Sequence, residues 1–307
     1  METEDDGRIR TGTVWTATAH AVTAVVGSGV LALPWSVAQM GWILGPFVLV
    51  GFATITYFTA TLLSDCYRTP DPVKGRRNYT YMDAVRACLG GRDVVAYGII
   101  QYLLLWGVMV GYTITAAMSM MEKEQIVGQR EASTSSSLGE SRSLILSQFP
   151  SLEKVTLLSV VAAVMSFAYS FIALYLSLIK VISVNHGFRG TLTGVKVNSK
   201  TITLSTKLWN SFRALGNIAF AYTYAMLLIE IQDTLKSPPA ENKTMKRATM
   251  YGIGITTLVY VSLGCVGYGA FGNDAPGNVL TGFHKPSWLV YIANLAVIIH
   301  LVGAYHV

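Results

Sequence analysis

The residues that could do chemistry in this chain are few, and they sit where charge is expensive. His20 and His300 lie inside long apolar stretches, and Glu230 and Asp233 close another. Ionisable side chains within membrane-length apolar runs are functional candidates by default. A histidine titrates near neutral pH, so His20 or His300 could carry a proton. Each could equally make an interhelical hydrogen bond, and Glu230 and Asp233 could be helix-end groups at an aqueous boundary. The backbone offers a second kind of chemistry in the run Val26-Gly-Ser-Gly-Val-Leu-Ala-Leu-Pro34. Glycine leaves helical angles without Cβ strain, and proline removes a donor and frees a carbonyl. Freed backbone is tolerated at membrane depth only where protein or a water-filled cavity satisfies it. A half-helix that starts there would favour a carboxylate at its N-terminus. The bland alternatives are a close-packed small-residue interface or a simple kink.

Other chemistries find no support. There is no serine-nucleophile, paired-carboxylate or phosphate-loop constellation, and Gly27-Ser28-Gly29 has no preceding strand that would make it a nucleotide loop. An enzyme is therefore not expected, and neither is a resident cofactor or metal. Cys66, Cys88 and Cys265 are far apart, with neither a disulfide framework nor metal-ligand spacing.

The elements that must position these groups are membrane helices. Hydrophobic residues make up 52% of the 307 and charged residues 13%, with a mean hydropathy of +0.45. Residues 13–40, 41–63, 94–121, 155–179, 248–272 and 287–307 contain no Asp, Glu, Lys or Arg. Each is at least 21 residues long, and about 20 suffice to cross a bilayer core. A seventh block, Ala214 to Ile229, has 16 residues between Arg213 and Glu230. The lipid bilayer is thus the first expected partner. The net charge of +6 gathers in the loops, as membrane orientation requires, so nucleic acid is not an expected partner. The acidic start reads as a cytosolic tail over residues 1–12, and the first helix would double as the insertion signal.

Orientation poses a counting problem. Loop 64–93 carries six Lys/Arg and loop 230–247 carries four. The positive-inside rule puts both in the cytosol, with an even number of crossings between them. Only three apolar blocks lie between: 94–121, 155–179 and 214–229. The intervening segment 122–148 has seven charged residues and a Ser/Thr/Gln/Glu bias that predicts a solvated, disordered loop. Three crossings would instead make loop 180–207, with five Lys/Arg, cytosolic and place 230–247 outside. Four charges against five do not decide. The sequons Asn78-Tyr-Thr80 and Asn242-Lys-Thr244 would report lumenal exposure.

Three stretches carry a family resemblance: "TAHAVTAVVGSGVLALPWSVAQMGWILGP" (18–46), "ALGNIAFAYTYAMLLIEIQDTLKSPPAENKTMKRAT" (214–249) and "GCVGYGAFGNDAPGNVLTGF" (264–283). They resemble the plant amino acid permeases of the amino acid/auxin permease group of proton-coupled transporters. The likeness covers about residues 8–121 and 145–307. It implies an all-α polytopic membrane protein with a LeuT-like inverted-repeat transporter fold, here incomplete, with about seven transmembrane helices. Residues 13–121 would form the first three, the first broken at 27–34. The family's fourth helix is missing, with 122–148 in its place. Residues 149–307 would hold the rest, including a broken helix at 208–233, and would end before the family's last helices.

In such transporters the substrate binds near the midplane at two discontinuous helices. The resemblance therefore implies an amino acid substrate held by Gly27, Ser28 and Gly29 at one break. Asn217, Phe220, Tyr222 and Tyr224 would hold it at the other, which would begin near Gly216-Asn217. The proton would be the coupling ion, with His20, Glu230 and His300 as candidate carriers. Many relatives carry Asp at the position of Asn217, and an amide cannot carry a proton, so a coupling role there is in doubt. The expected activity is amino acid import across the plasma membrane, or an endomembrane, by alternating access. The rival expectation is a truncated, non-transporting membrane protein that pairs with full-length relatives or is degraded.

Overall fold

The structure is a computed structural model that describes residues 9–89, 91–127, 152–183, 187–197 and 202–304. Nine α-helices are described: α1 (Val14–Val25), α2 (Leu33–Asp65), α3 (Tyr81–Cys88), α4 (Gly91–Val127), α5 (Leu152–Ser183), α6 (Leu204–Ala221), α7 (Ala225–Asp233), α8 (Glu241–Phe271) and α9 (Ser287–Ala304). A two-residue hairpin pairs β1 (Arg68–Thr69) with β2 (Arg76–Arg77). A helix satisfies every backbone group internally, which is what a bilayer demands of a spanning segment.

Five segments are long and apolar enough to cross a membrane: Ser28–Asp65, Asp93–Met121, Val161–Ser183, Leu204–Asp233 and Glu241–Asp274. Ser287–Val302 is a shorter apolar helix. The sequence-based expectation of about seven counts 13–40 and 41–63 separately. The structure bends at that boundary: Gly41 has a non-helical φ of 84° and kinks α2 there. A Cβ at Gly41 would collide with the backbone of Leu192 and Gly194, so the kink is locked by a close approach that only glycine permits. Pro34, in contrast, breaks nothing. It is the second residue of α2, where a missing N–H costs no helical bond.

The chain forms two compact units. The first holds residues up to Val25, Gly51–Trp106 and Tyr222–Thr257. Here α1 buries Ala17, Thr18, Ala21, Val22 and Val25, a one-sided stripe at helical spacing. The polar ends of this unit are tied by ion pairs. Glu241, 1% exposed at its side chain, meets Arg68 at 2.8 Å and Arg77 at 3.2 Å. Arg10 pairs with Asp233 at 2.8 Å, and Tyr67 donates to the same carboxylate oxygen at 2.6 Å. Lys246 meets Asp65 at 2.6 Å. The backbone of Gly12 bonds to Thr234 and Lys236.

These pairs bear on the orientation question that charge counting leaves open. Loops 64–80 and 234–246 interlock, as two loops on the same side of a membrane would. Both sequon asparagines are buried in this interlock. Asn78 donates to the Cys66 carbonyl at 2.8 Å, and Asn242 donates to Asp65 at 2.9 Å. One crossing is still uncounted between the two loops. The expected polar loop at 122–148 falls partly within α4, which runs on to Val127; residues 128–148 lie outside the described residues.

The second unit holds Val26–Val50, Gly107–Ala221 and Leu258–Val307. Its main packing is α5 against α9, antiparallel, with Ala162 near His300 at one end and Lys180 5.5 Å from the centroid of Phe283, in the segment leading into α9, at the other. The buried hydroxyls of Ser170 and Ser177 turn back to carbonyls of their own helix. At the loop end Lys207 Nζ bonds the carbonyls of Gln39 and Val195 at 2.6 and 2.5 Å. Tyr268 bonds the backbone of Thr191.

Candidate functional site

The first helix break lies just past α1. Gly27 is extended, and Ser28–Ala32 winds as a 3-10 turn before α2 begins. This turn packs on the last residues of α6. A Cβ on Gly29 would sit 3.0 Å from Phe220 and 3.3 Å from the Ala221 backbone, so glycine there permits the approach. The end of α6 is itself a break. Its last residue, Ala221, offers its carbonyl to the Tyr260 hydroxyl at 3.0 Å, satisfying a group the interrupted helix leaves open. The chain resumes as α7 at Ala225. Gly216 and Asn217 lie within α6, so this second break falls at Tyr222–Tyr224 and not at the glycine from which sequence reading starts it.

Beside the first break is a cavity of about 560 Å³. Ser28 and Trp35 line it from the 3-10 turn and the start of α2, and Asn210, Arg213 and Asn217 line it from α6. Asn278 contributes from the segment before α9, and Leu31, Ile114 and Met118 supply apolar wall. Asn217 Nδ2 faces the Ser36 hydroxyl at 3.4 Å, which leaves its Oδ1 as an acceptor. Asn278 Oδ1 accepts from Leu280 N at 3.0 Å, which leaves its amide as a donor. The Arg213 guanidinium lies 5.2 Å from the Trp35 ring centroid. Such a site offers apolar wall and a few placed polar groups, the usual make-up of a small-molecule pocket.

His300 is a buried titratable group beside this break. It is 4% exposed, and Nδ1 lies 2.9 Å from the Ala162 carbonyl. A carbonyl only accepts, so Nδ1 carries the hydrogen and Nε2 is left a bare acceptor. Nε2 is buried without a hydrogen-bond partner among the described residues. It lies 3.9 Å from where a Cβ would stand on Gly27. The ring packs edge-on against Tyr169.

The structure thus gathers Gly27, Ser28, Gly29, Asn217, Phe220 and His300 in one unit. Phe220 lies against Tyr112, at 6.4 Å between ring centroids. The remaining sequence candidates belong to the other unit. Tyr222 and Tyr224 are buried there and face Thr257 and Thr249, each at 3.3 Å. His20 and Glu230 are exposed on α1 and α7. Arg213, Trp35, Asn210 and Asn278 were not among the sequence candidates. Arg213 served only as the edge of an apolar block. Its spacing of four from Asn217, one turn along a helix face, is the signal that could have found it.

Residues 10–307 match the family described as transmembrane amino acid transporter protein. Over 99% of its length the chain is 52% identical to Amino acid permease 2 of Arabidopsis thaliana and 52% identical to Amino acid permease 4 of the same plant. It spans 64% and 67% of those relatives, about two thirds of their length. It is also 32% identical to Lysine histidine transporter-like 1 of Arabidopsis thaliana, over 95% of the chain and 64% of that relative. An all-α, membrane-spanning protein, this chain belongs to the transmembrane amino acid transporter family.

Proposed function

We propose that the chain acts in proton-coupled import of amino acids across the plasma membrane by alternating access. Family membership supports the substrate class. The observation that carries the reading is the cavity beside the first break, with Ser28 on one wall and Asn217 on another. The extended backbone at Gly27 and the start of the 3-10 turn provide N–H groups for the substrate carboxylate. Asn217 Oδ1 would accept from its ammonium. His300 Nε2, bare and beside Gly27, is the proposed proton acceptor. A proton there would turn an acceptor into a donor next to the break, so loading and protonation would be linked.

The test is uptake of labelled amino acids by uptake-deficient yeast expressing the chain, at acidic and neutral external pH. We expect uptake that rises with external acidity. His300→Asn should flatten that pH dependence. A correctly inserted chain that neither binds nor transports any amino acid would overturn the reading. A fluorescent fusion checks the plasma membrane.

A second reading is motivated by the seven charged residues of 122–148, where the family resemblance implies a helix. In that reading the chain is a non-transporting membrane protein that associates with full-length relatives. Growth rescue of the yeast by this chain alone would sink it.

A further inference from the structure

We infer that Arg213, set against Trp35, is a subsite for the side-chain carboxylate of an acidic amino acid and excludes cationic ones. This rests on the amino acid cavity proposed above and adds which substrates it takes. The cavity wall carries one ionised side chain among the described residues, that of Arg213, and no Asp or Glu. A cavity with a single fixed positive charge favours a ligand of opposite sign and repels one of like sign.

The position of that charge decides which part of the ligand it meets. Asn217 and Ser28 mark the end of the cavity at the break, where the substrate's ammonium and carboxylate would be held. Arg213 precedes Asn217 by four residues on α6, about 6 Å along the helix axis. A glutamate side chain reaches roughly 5 Å from its Cα, and a hydrogen bond to the guanidinium spans about 2.9 Å more. The guanidinium therefore stands where the far end of the substrate arrives.

The state of the guanidinium fits the role. Its one described contact is the Trp35 ring, 5.2 Å from the centroid. A cation–π contact fixes the plane of the fork and leaves its N–H donors for a ligand. A planar fork pairs with a carboxylate through two parallel bonds. Asn278, whose Oδ1 is occupied by Leu280 N, adds an amide that can only donate. The Arg213 donors and the Asn217 acceptor, one helical turn apart, match a substrate with its ammonium at the break and a carboxylate at its tip.

The experiment measures thermal stabilisation of the purified chain in lipid nanodiscs, titrated with L-glutamate, L-glutamine and L-lysine. The wild type should bind glutamate and glutamine and bind lysine roughly tenfold or more weakly, the direction that like charges at this distance impose. Arg213→Gln should lower the glutamate-to-glutamine affinity ratio about tenfold. Arg213→Glu should shift preference toward lysine, and Arg213→Lys should keep much of the glutamate preference. Equal binding of glutamate and lysine by the wild type overturns the inference. So does an unchanged ratio in Arg213→Gln with glutamine still bound; in both cases the transporter reading stands. If Arg213→Gln loses glutamine as well while Arg213→Lys retains it, the charge is structural and the inference falls. A wild type that binds no amino acid removes the proposed function and this inference together.

Discussion

The two units of the chain hold their loops by opposite means. In the unit containing α1, α3 and α7, the fastening is charge. Glu241 is shared by Arg68 and Arg77, Asp233 is held by Arg10 and Tyr67, and Asp65 is held by Lys246 and Asn242. In the unit containing α5, α6 and α9, the fastening is close backbone approach. Gly41 and Gly194 meet where neither tolerates a Cβ, Gly190 faces Tyr268, and one lysine caps carbonyls. Ion pairs tie together segments far apart in sequence without needing shape. Glycine contacts need shape and no charge. The first fastening should therefore fail when a charge is removed, and the second when an atom is added.

The largest effect is expected at Glu241. Glu241→Gln leaves two buried guanidiniums without their carboxylate and should destabilise its unit by about 3–5 kcal/mol. Hydrogen exchange would read it as faster opening of residues 64–80 and 225–246, with 187–197 unaffected. Equal opening of both segments would break the comparison. Gly41→Ala is the converse. Its φ of 84° alone implies roughly 1–3 kcal/mol of strain for a non-glycine residue, before the collision with Leu192 and Gly194. Here residues 187–197 should open first.

The smallest effect concerns Tyr67. Burial, and then the hydrogen bond to Asp233, push its hydroxyl well above the ordinary tyrosine range. A raised folded pKa gives stability that is complete below the unfolded value, near 10, and is lost as pH rises above it. Thermal stability should fall above about pH 10, and Tyr67→Phe should flatten that alkaline limb while costing about 1 kcal/mol at neutral pH from the lost hydrogen bond. An alkaline limb unchanged in Tyr67→Phe would detach Tyr67 from the charged fastening.

Much of this was legible in the sequence, for identifiable reasons. Uncharged blocks of membrane length report helices directly, and two glycines report the first break, where Gly29 permits the close approach to the end of α6. The second break is marked by Tyr222-Thr223-Tyr224, residues with only a modest bias against helix, so a nearby glycine drew attention six residues too early. Gly41 was hidden because its cause lies in loop 187–197, about 150 residues away. Arg213 was hidden because a cation at the edge of an apolar block reads as a boundary until the cavity gives it a neighbour. Charge counting could not choose an orientation because it tallies residues and does not see which loop each arginine meets.

The pairing of Arg10 with Asp233 has a consequence for the order of assembly. The two residues are separated by 223 positions, and Arg68 and Arg77 likewise wait for Glu241. The start of the chain is made first and fastened late. Until the segment around 233–246 has been synthesised, α1 lacks its anchor and two arginines destined for burial remain in water. α1 is thus fixed in place only after a segment 223 positions beyond Arg10 has been made, so an interrupted synthesis would leave this whole unit open.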